Sequence, residues 1–158
     1  MVREGNQEGT AKGYNPKRLG RPSHHPLLAF VSDVRMIASY WLRTGNTVAN
    51  TNCLAFLEDT LSRLENKTVG LVRMDSGFFT KEILDFLEYK NLHYIIACRF
   101  NNRIKYSLTH EHAWVEVANG LEISETTYQA NGWDQPRHII MVRQEIQKRP
   151  NAAGKQVR

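Results

Sequence analysis

The sequence contains no run of about 18 consecutive apolar residues, so it predicts no membrane-spanning helix. Residues 1–7 lack the apolar stretch of a secretory signal. Cysteine is scarce as well, because Cys53 and Cys98 are the two in the chain and their separation matches no metal-ligand spacing. We therefore expect a cytosolic protein whose cysteines stay reduced and pack as small core side chains.

Positive charge is concentrated towards both ends of the chain. The 158 residues carry a net charge of +5. Four basic residues lie in a stretch rich in glycine and proline, at Lys12, Lys17, Arg18 and Arg21, and others lie within residues 143–158. Basic segments suit contact with the phosphate groups of a polyanion. They equally suit solvated tails that keep a protein soluble, so the charge pattern leaves both interpretations open.

Hydrophobic patterning organises the first half of the chain. Residues 1–25 show no periodicity and are punctuated by glycine and proline, which predicts an irregular basic arm. Apolar runs at 27–34 and 36–43 predict two strands with a tight connection at Arg35. Leucines at positions 54, 57, 61 and 64 follow the amphipathic period, and they predict a helix capped by Asn50 or Thr51.

The second half changes from one pattern to another. Residues 69–74 predict a buried strand, 80–89 a helix and 93–98 a further strand, which is typical of a parallel pair with a helical crossover. Residues 26–100 are therefore predicted to form an α/β core. Alternating apolar residues from 113 to 143, with turns at Gly120 and 131–132, predict an antiparallel β insertion over 101–146. Residues 147–158 predict a basic flexible tail.

Asp75 is the most informative residue of the chain. It directly follows the apolar run 69–74 and precedes Ser76 and Gly77. A carboxylate just past the carboxyl edge of a buried strand lies where open α/β sheets place ligand and catalytic groups. No histidine is placed to activate Ser76, so we do not expect a serine nucleophile. Asp75 is the candidate metal ligand and catalytic residue.

Three stretches together resemble one protein family. They are residues 13–18 with 20–27 (GYNPKR and GRPSHHPL), residues 41–46 (WLRTGN) and residues 73–79 (RMDSGFF). In this order and spacing they resemble the catalytic region of bacterial insertion-sequence transposases of the DDE type. The resemblance implies a ribonuclease H-like fold, here as a partial sheet with flanking helices plus the β insertion. It also implies two-metal phosphoryl transfer to DNA with Mg²⁺ held by carboxylates.

The resemblance also implies which carboxylates act. Transposases of this kind use two aspartates and a glutamate, and the second aspartate matches Asp75. The first would precede residues 5–9 and the glutamate would follow the β insertion, so we expect a fragment that lacks both and is inactive alone. The family's opening strand would lie between residues 27–43 and the Asp75 strand. Its absence would leave bare sheet edges, so self-association through those edges is one expected outcome.

The leading function is therefore a fragment of a cut-and-paste DNA transposase. It would act in the bacterial cytosol, at the nucleoid, on insertion-sequence ends and target DNA. One alternative is a non-catalytic DNA-binding protein that interferes with an intact transposase and binds DNA without a metal. Another is a small metal-dependent nuclease that combines Asp75 with Asp33, predicted within a strand, or with Asp85.

Several other side chains are candidates for binding. The candidate DNA contacts are Lys17, Arg18, Arg21, His24 and His25, with Tyr14 as an adjacent stacking ring. The histidine pair 24–25 and the segment 110–112 (HEH), predicted in a loop, could suggest zinc. Neither has the second pair of ligands that a closed zinc site requires, so we expect exposed or capping histidines. The three tryptophans are expected to pack rather than to stack on bases.

Overall fold

The computed structural model describes residues 7–13, 19–110 and 113–144. The chain divides into two compact units, Met1–Arg99 and Phe100–Arg158. Each unit mixes helices with strands, which confirms the predicted α/β class. None of the helices in the described ranges is long and apolar enough to cross a membrane.

The first unit is built from three pairs of strands and two helices. Its elements are β1 (Ala11–Lys12), β2 (Pro22–Ser23), β3 (Leu27–Val31), β4 (Met36–Trp41), α1 (Cys53–Arg63), β5 (Val72–Met74), α2 (Lys81–Tyr89) and β6 (Tyr94–Ile96). The β1–β2 and β3–β4 pairs are antiparallel, whereas β5 and β6 are parallel and are connected through α2. Among the described residues the three pairs form separate two-stranded sheets, because each strand hydrogen-bonds to its own partner strand alone.

The β3–β4 hairpin has two unlike faces. Directly opposed residues lie on the same face of an antiparallel pair, and Leu27 opposes Trp41 while Ala29 opposes Ser39. This inner face contacts α1, where the Asp59 carboxylate accepts hydrogen bonds from Ser39 Oγ at 3.2 Å and Trp41 Nε1 at 3.0 Å. The Arg35 turn is confirmed, because Arg35 has a positive φ of 54° and its N–H donates to the Ser32 carbonyl.

The opposite surface of the hairpin, which we call the outer face, is apolar and exposed. It consists of the opposed pairs Leu28–Tyr40 and Phe30–Ile37. A β-bulge between Ala29 and Phe30 shifts the register, and this shift is what brings Ile37 opposite Phe30. Each of the four side chains is between 52% and 60% exposed, so the outer face has no cover within the described residues.

The core of the first unit lies between the two helices and the parallel strands. Cys53 and Leu57 of α1 meet Ile83 and Leu87 of α2, and all four are buried. Each helix turns one side inward, as amphipathic helices do. In α1 that side differs from the predicted leucine stripe, because among the four leucines of that stripe Leu57 alone is buried and Leu54 is exposed. Burying a side chain such as Leu87 contributes about 1.5–3 kcal/mol. Burial also raises the pKa of the Cys53 thiol to about 11, so the thiol is protonated at neutral pH.

The second unit is a helix followed by a three-stranded antiparallel sheet. Its elements are α3 (Asn102–His110), β7 (Val115–Ala118), β8 (Leu121–Tyr128) and β9 (Arg137–Gln144). The strand order is β7–β8–β9, and Gly120 has the positive φ that the β7–β8 turn requires. Ser124 and Met141 are opposed and buried in this sheet, whereas Arg143 forms a two-point ion pair with Glu122.

Two predicted segments differ from the structure. The range 1–25, predicted to be irregular, contains the β1–β2 pair, which packs on the turn that follows β4. Gly45 allows this contact, since a Cβ there would lie 2.5 Å from the Ala11 carbonyl oxygen. The range 101–146, predicted as β structure alone, begins with α3. Asn101 starts that helix, because its side-chain oxygen accepts a hydrogen bond from the Ile104 N–H at 3.0 Å. The tail predicted for 147–158 lies outside the described residues.

Two smaller predictions were also wrong. The residue before α1 is Asn52, in the left-handed conformation and without a side-chain cap, rather than a capping Asn50 or Thr51. Asp33, predicted within a strand, lies exposed in the turn between β3 and β4. Both differences lie where a strand ends or a helix begins. The periodicity of apolar residues identifies an element but does not fix its terminal residues.

Candidate functional site at the Asp75 turn

Asp75 lies at the carboxyl end of β5, as the sequence predicts. It is exposed and precedes a short 3-10 turn, Ser76–Phe78. Its Oδ1 accepts a hydrogen bond from the Gly77 N–H at 2.7 Å, which fixes the orientation of the carboxylate. Within the described part of the chain its second oxygen, Oδ2, has no protein partner. The side chain therefore presents one hard oxygen donor towards solvent.

Arg99 holds the same turn from the neighbouring strand. Because β5 and β6 are parallel, their carboxyl ends lie side by side, and Arg99 follows β6 by three residues. Its Nε donates to the Ser76 carbonyl at 2.9 Å and its Nη2 reaches the Gly77 carbonyl at 3.4 Å. Sequence reasoning missed this residue. Its position could have indicated it, because Arg99 follows the carboxyl end of β6 just as Asp75 follows the carboxyl end of the parallel strand β5.

A buried arginine holds the 48–51 loop, which lies next to the Asp75 turn. Arg43 follows β4 and is 7% exposed. Its Nε donates to the His25 carbonyl at 3.0 Å, and its Nη1 donates to carbonyls of the 48–51 loop. Its Nη2 is buried without a hydrogen-bond partner, and no acidic side chain of the described residues pairs with it. Burial lowers the pKa of Arg43, yet an arginine stays charged throughout the physiological range.

The loop held by Arg43 lies against the Asp75 turn. A Cβ placed on Gly77 would lie 2.8 Å from the Cβ of Ala49 and 2.9 Å from Asp75 Oδ1. Only glycine therefore fits between the loop and the carboxylate without displacing one of them. The Asp75 turn is thus fixed by three contacts: the Gly77 N–H, the Arg99 guanidinium and the loop at Ala49.

This arrangement offers one metal ligand rather than a complete metal centre. A carboxylate oxygen is the donor type that Mg²⁺ prefers, so Asp75 fits the ion as one ligand of several. The described residues contain no group of three or more histidine, cysteine or acidic side chains that could hold an ion. Asp85 is engaged by Lys81 at 2.6 Å, and Asp33 lies in the β3–β4 turn.

The structure describes three of the five predicted DNA contacts. Lys17 and Arg18 lie outside the described residues, as does Tyr14. Arg21 is exposed beside β2, and the Nδ1 of the exposed His25 lies 2.7 Å from the Thr47 carbonyl oxygen. His24 is 8% exposed, and this burial disfavours a direct contact between its side chain and DNA.

The remaining histidines and the tryptophans also have defined surroundings. His110 ends α3 rather than lying in a loop, and its ring stacks on Tyr106, while residues 111 and 112 lie outside the description. Trp41 packs edge-on against Phe56, and Trp133 packs in the same way against Tyr128. Trp114 lies under the guanidinium of Arg143 at 4.2 Å. The packing role that the sequence analysis gave to the tryptophans agrees with these contacts.

Comparison with known proteins identifies one relationship. The family model described as transposase DDE domain group 1 matches residues 5–152, which is nearly the whole chain. No curated protein and no solved structure matches the sequence. The matched range covers most of both units and includes Asp75, Arg99 and the three motifs on which the resemblance depends.

Proposed function

The chain belongs to the transposase DDE domain group 1 family, and we propose that it is the Asp75-bearing part of a domain that cuts DNA and joins it to a target strand. The observation that supports this proposal is the position of Asp75 at the carboxyl end of a parallel strand, with one carboxylate oxygen that has no partner among the described residues. Bound Mg²⁺ would supply charge stabilisation at the reacting phosphate.

The residues of this chain would prepare that carboxylate rather than complete the centre. The Gly77 N–H orients it, and Arg99 holds the two carbonyls that follow it. Orientation matters because a metal ligand held by its own hydrogen bond loses less freedom when the ion binds. We propose that Asp75 is one of several carboxylates and that the others are not among the described residues. The protein alone is then expected to bind Mg²⁺ weakly and to be inactive in strand transfer.

Metal binding at Asp75 can be measured without DNA. Mn²⁺, which substitutes for Mg²⁺ at oxygen sites, broadens the NMR signals of nearby nuclei. We expect selective broadening of the amide signals of residues 76–78, and we expect Asp75→Asn to abolish it. The matched control is Asp33→Asn, since Asp33 is also an exposed aspartate in a turn. Broadening that survives Asp75→Asn, or that centres on Asp33, would contradict the proposal.

The second candidate function is DNA binding that needs no metal. The observation that favours it is Arg21, which is exposed beside the β1–β2 pair anchored on the Gly45 turn. We expect binding of a DNA duplex to weaken steeply with salt and to be unchanged by EDTA. Arg21→Ala should lower the salt slope by about 0.9, the contribution of one phosphate contact. Loss of binding in EDTA would instead assign the DNA affinity to the metal centre.

We also propose that the protein acts in the bacterial cytosol, at the nucleoid, and that it associates with itself through its open strand edges. The two-stranded β3–β4 sheet supports association through edges, because among the described residues each of its strands is paired on one side only. Its exposed apolar outer face would add to such a contact between copies. Sedimentation velocity over a range of concentrations would detect it. Phe30→Lys should return the protein to a monomer, and a monomeric wild-type protein at all concentrations would refute self-association.

A further inference from the structure

The second unit contains an open groove between α3 and the end of β8. The groove has a volume of about 410 Å³, which lies within the range of about 300–1,000 Å³ typical of ligand sites. From α3 it is lined by Asn102, Arg103, Tyr106 and Ser107, and from the strand side by Thr127, Tyr128 and Gln129. None of these residues takes part in the Asp75 turn, and no known role is attached to the groove.

The two walls of the groove are tied together by side-chain hydrogen bonds. Asn101 Nδ2 donates to the Tyr128 hydroxyl at 2.8 Å, while the other end of the same amide caps α3. Arg103 Nη1 donates to the Gln129 carbonyl at 3.3 Å. Tyr128 is supported from behind by the edge-on ring of Trp133, with centroids 5.6 Å apart. The groove is therefore preformed, which lowers the entropy that a ligand must give up on binding.

Tyr106 presents an aromatic surface in this groove. His110, one helical turn further along α3, stacks on the ring with centroids 3.8 Å apart and an interplanar angle of 18°. This stack covers one face of the ring and fixes its plane. The residue nevertheless remains 63% exposed, so the other face is open to a flat partner. Exposed aromatic rings held in this way serve as platforms for nucleotide bases.

The charge and polarity around the ring fit the rest of a nucleotide. Helix α3 contributes Arg103 to the groove and contains no acidic residue. The Arg103 side chain is exposed and can meet a backbone phosphate. The amides of Asn102 and Gln129 line the groove and offer both donors and acceptors to base edges.

We propose that this groove binds unpaired nucleotides of a DNA strand, with one base stacked on Tyr106 and the adjacent phosphate beside Arg103. The assignment to DNA rather than another polyanion rests on the proposed transposase function. The stacking itself depends on the geometry of the groove alone. Because every base has a flat face, the binding should tolerate changes in sequence.

Binding can be measured by the fluorescence anisotropy of a labelled single-stranded oligonucleotide titrated with the full chain. Tyr106→Ala should weaken binding about tenfold, the loss expected for one base–aromatic stack. Tyr106→Phe keeps the ring and should bind like the wild type. The matched control is Tyr89→Ala, which removes an even more exposed tyrosine, 84% accessible, from α2 in the first unit. Wild-type binding by Tyr106→Ala, or equal losses for the alanine and phenylalanine variants, would overturn the proposal.

The phosphate contact has its own test, which does not depend on the ring. Arg103→Ala should reduce the salt slope of single-strand binding by about 0.7, the value for one phosphate. Lys67→Ala, which removes an exposed lysine after α1, should leave the slope unchanged. Tighter binding of a duplex, or of an RNA strand of the same sequence, would refute the assignment to unpaired DNA. The Mn²⁺ experiment at Asp75 uses no nucleic acid. Failure of the proposed metal site can therefore be distinguished from failure of the proposed nucleotide groove.

Discussion

Replacing Arg43 should show how strongly one buried side chain supports the candidate site. Its guanidinium donates through Nε to the His25 carbonyl and through Nη1 to the carbonyls of Val48, Ala49 and Thr51. Nη1 has two hydrogens, so about three of these contacts are full hydrogen bonds at any moment. Each hydrogen bond from a charged donor contributes about 1.5–3 kcal/mol.

Part of that stabilisation is offset within the native state. Among the described residues the buried cation has no acidic partner and its Nη2 has no acceptor, which costs about 1–3 kcal/mol. Arg43→Met removes both the hydrogen bonds and this cost, while it leaves several carbonyls in a buried environment without donors. We expect a net destabilisation of about 3–4 kcal/mol. Arg43→Lys can still donate to the 48–51 loop but not to His25, so we expect about 1–2 kcal/mol.

The assay is urea unfolding of the first unit, followed through the amide NMR signals of α1. The midpoint should fall in the order wild type, Arg43→Lys, Arg43→Met, with an unchanged slope. Arg73→Met serves as the control, because Arg73 is an exposed arginine on β5. The reasoning would be refuted if the methionine variant were as stable as the wild type, or more stable than the lysine variant.

Three further predictions concern the packing around the site. In thermal melts, Gly45→Ala should destabilise the first unit by about 3 kcal/mol or more, because the added Cβ would lie 2.3 Å from a backbone oxygen. Gly70→Ala is the control and should be neutral, because the space around Gly70 is open. Gly77→Ala should lower the free energy of unfolding by about 1–3 kcal/mol and should weaken the broadening of the amide NMR signals by Mn²⁺. Full broadening in this variant would contradict the close fit between the 48–51 loop and the Asp75 turn. Hydrogen bonds from Arg63, Trp41 and Ser39 lower the pKa of Asp59, so its stabilisation is complete above the ordinary aspartate pKa of about 3.9 and is lost as pH falls through the lower folded value. Melts between pH 2 and pH 6 should therefore show a steeper acid loss for the wild type than for Asp59→Asn.

The parts of the fold that the sequence predicted are those in which apolar residues repeat. The leucine period of α1 predicted the helix, and the apolar runs predicted β5 and β6. The leucines did not define the inward face of α1, because that face also includes Cys53 and Thr60 while Leu54 is exposed. Asp75 could be predicted for a related reason, because a lone carboxylate that ends such a run marks the edge of a sheet. The family motifs then indicated the chemistry of that carboxylate.

The remaining features depend on interactions that leave no periodic signal. Arg43 is charged and would be assigned to the surface, yet it is buried because its guanidinium donates hydrogen bonds to four backbone carbonyls, one of them 18 residues away. Ile104 is the one buried residue of helix α3, so this helix has no buried apolar stripe. The β1–β2 pair has two residues in each strand and forms because Gly45 allows a close approach. In each case tertiary contact, rather than local preference, determines the outcome.

The outer face of the β3–β4 hairpin has a consequence for how relatives of this protein diverge. Its side chains form two opposed pairs, Leu28 with Tyr40 and Phe30 with Ile37, each pair sharing one small patch of surface. If a protein partner covers this face during the working cycle, substitutions should exchange volume across each pair, with a larger residue on one strand matched by a smaller one on the other. If the face stays in water, the four positions should drift independently towards polar residues. The pattern of paired change in related sequences would therefore record whether this surface is hidden when the protein is at work.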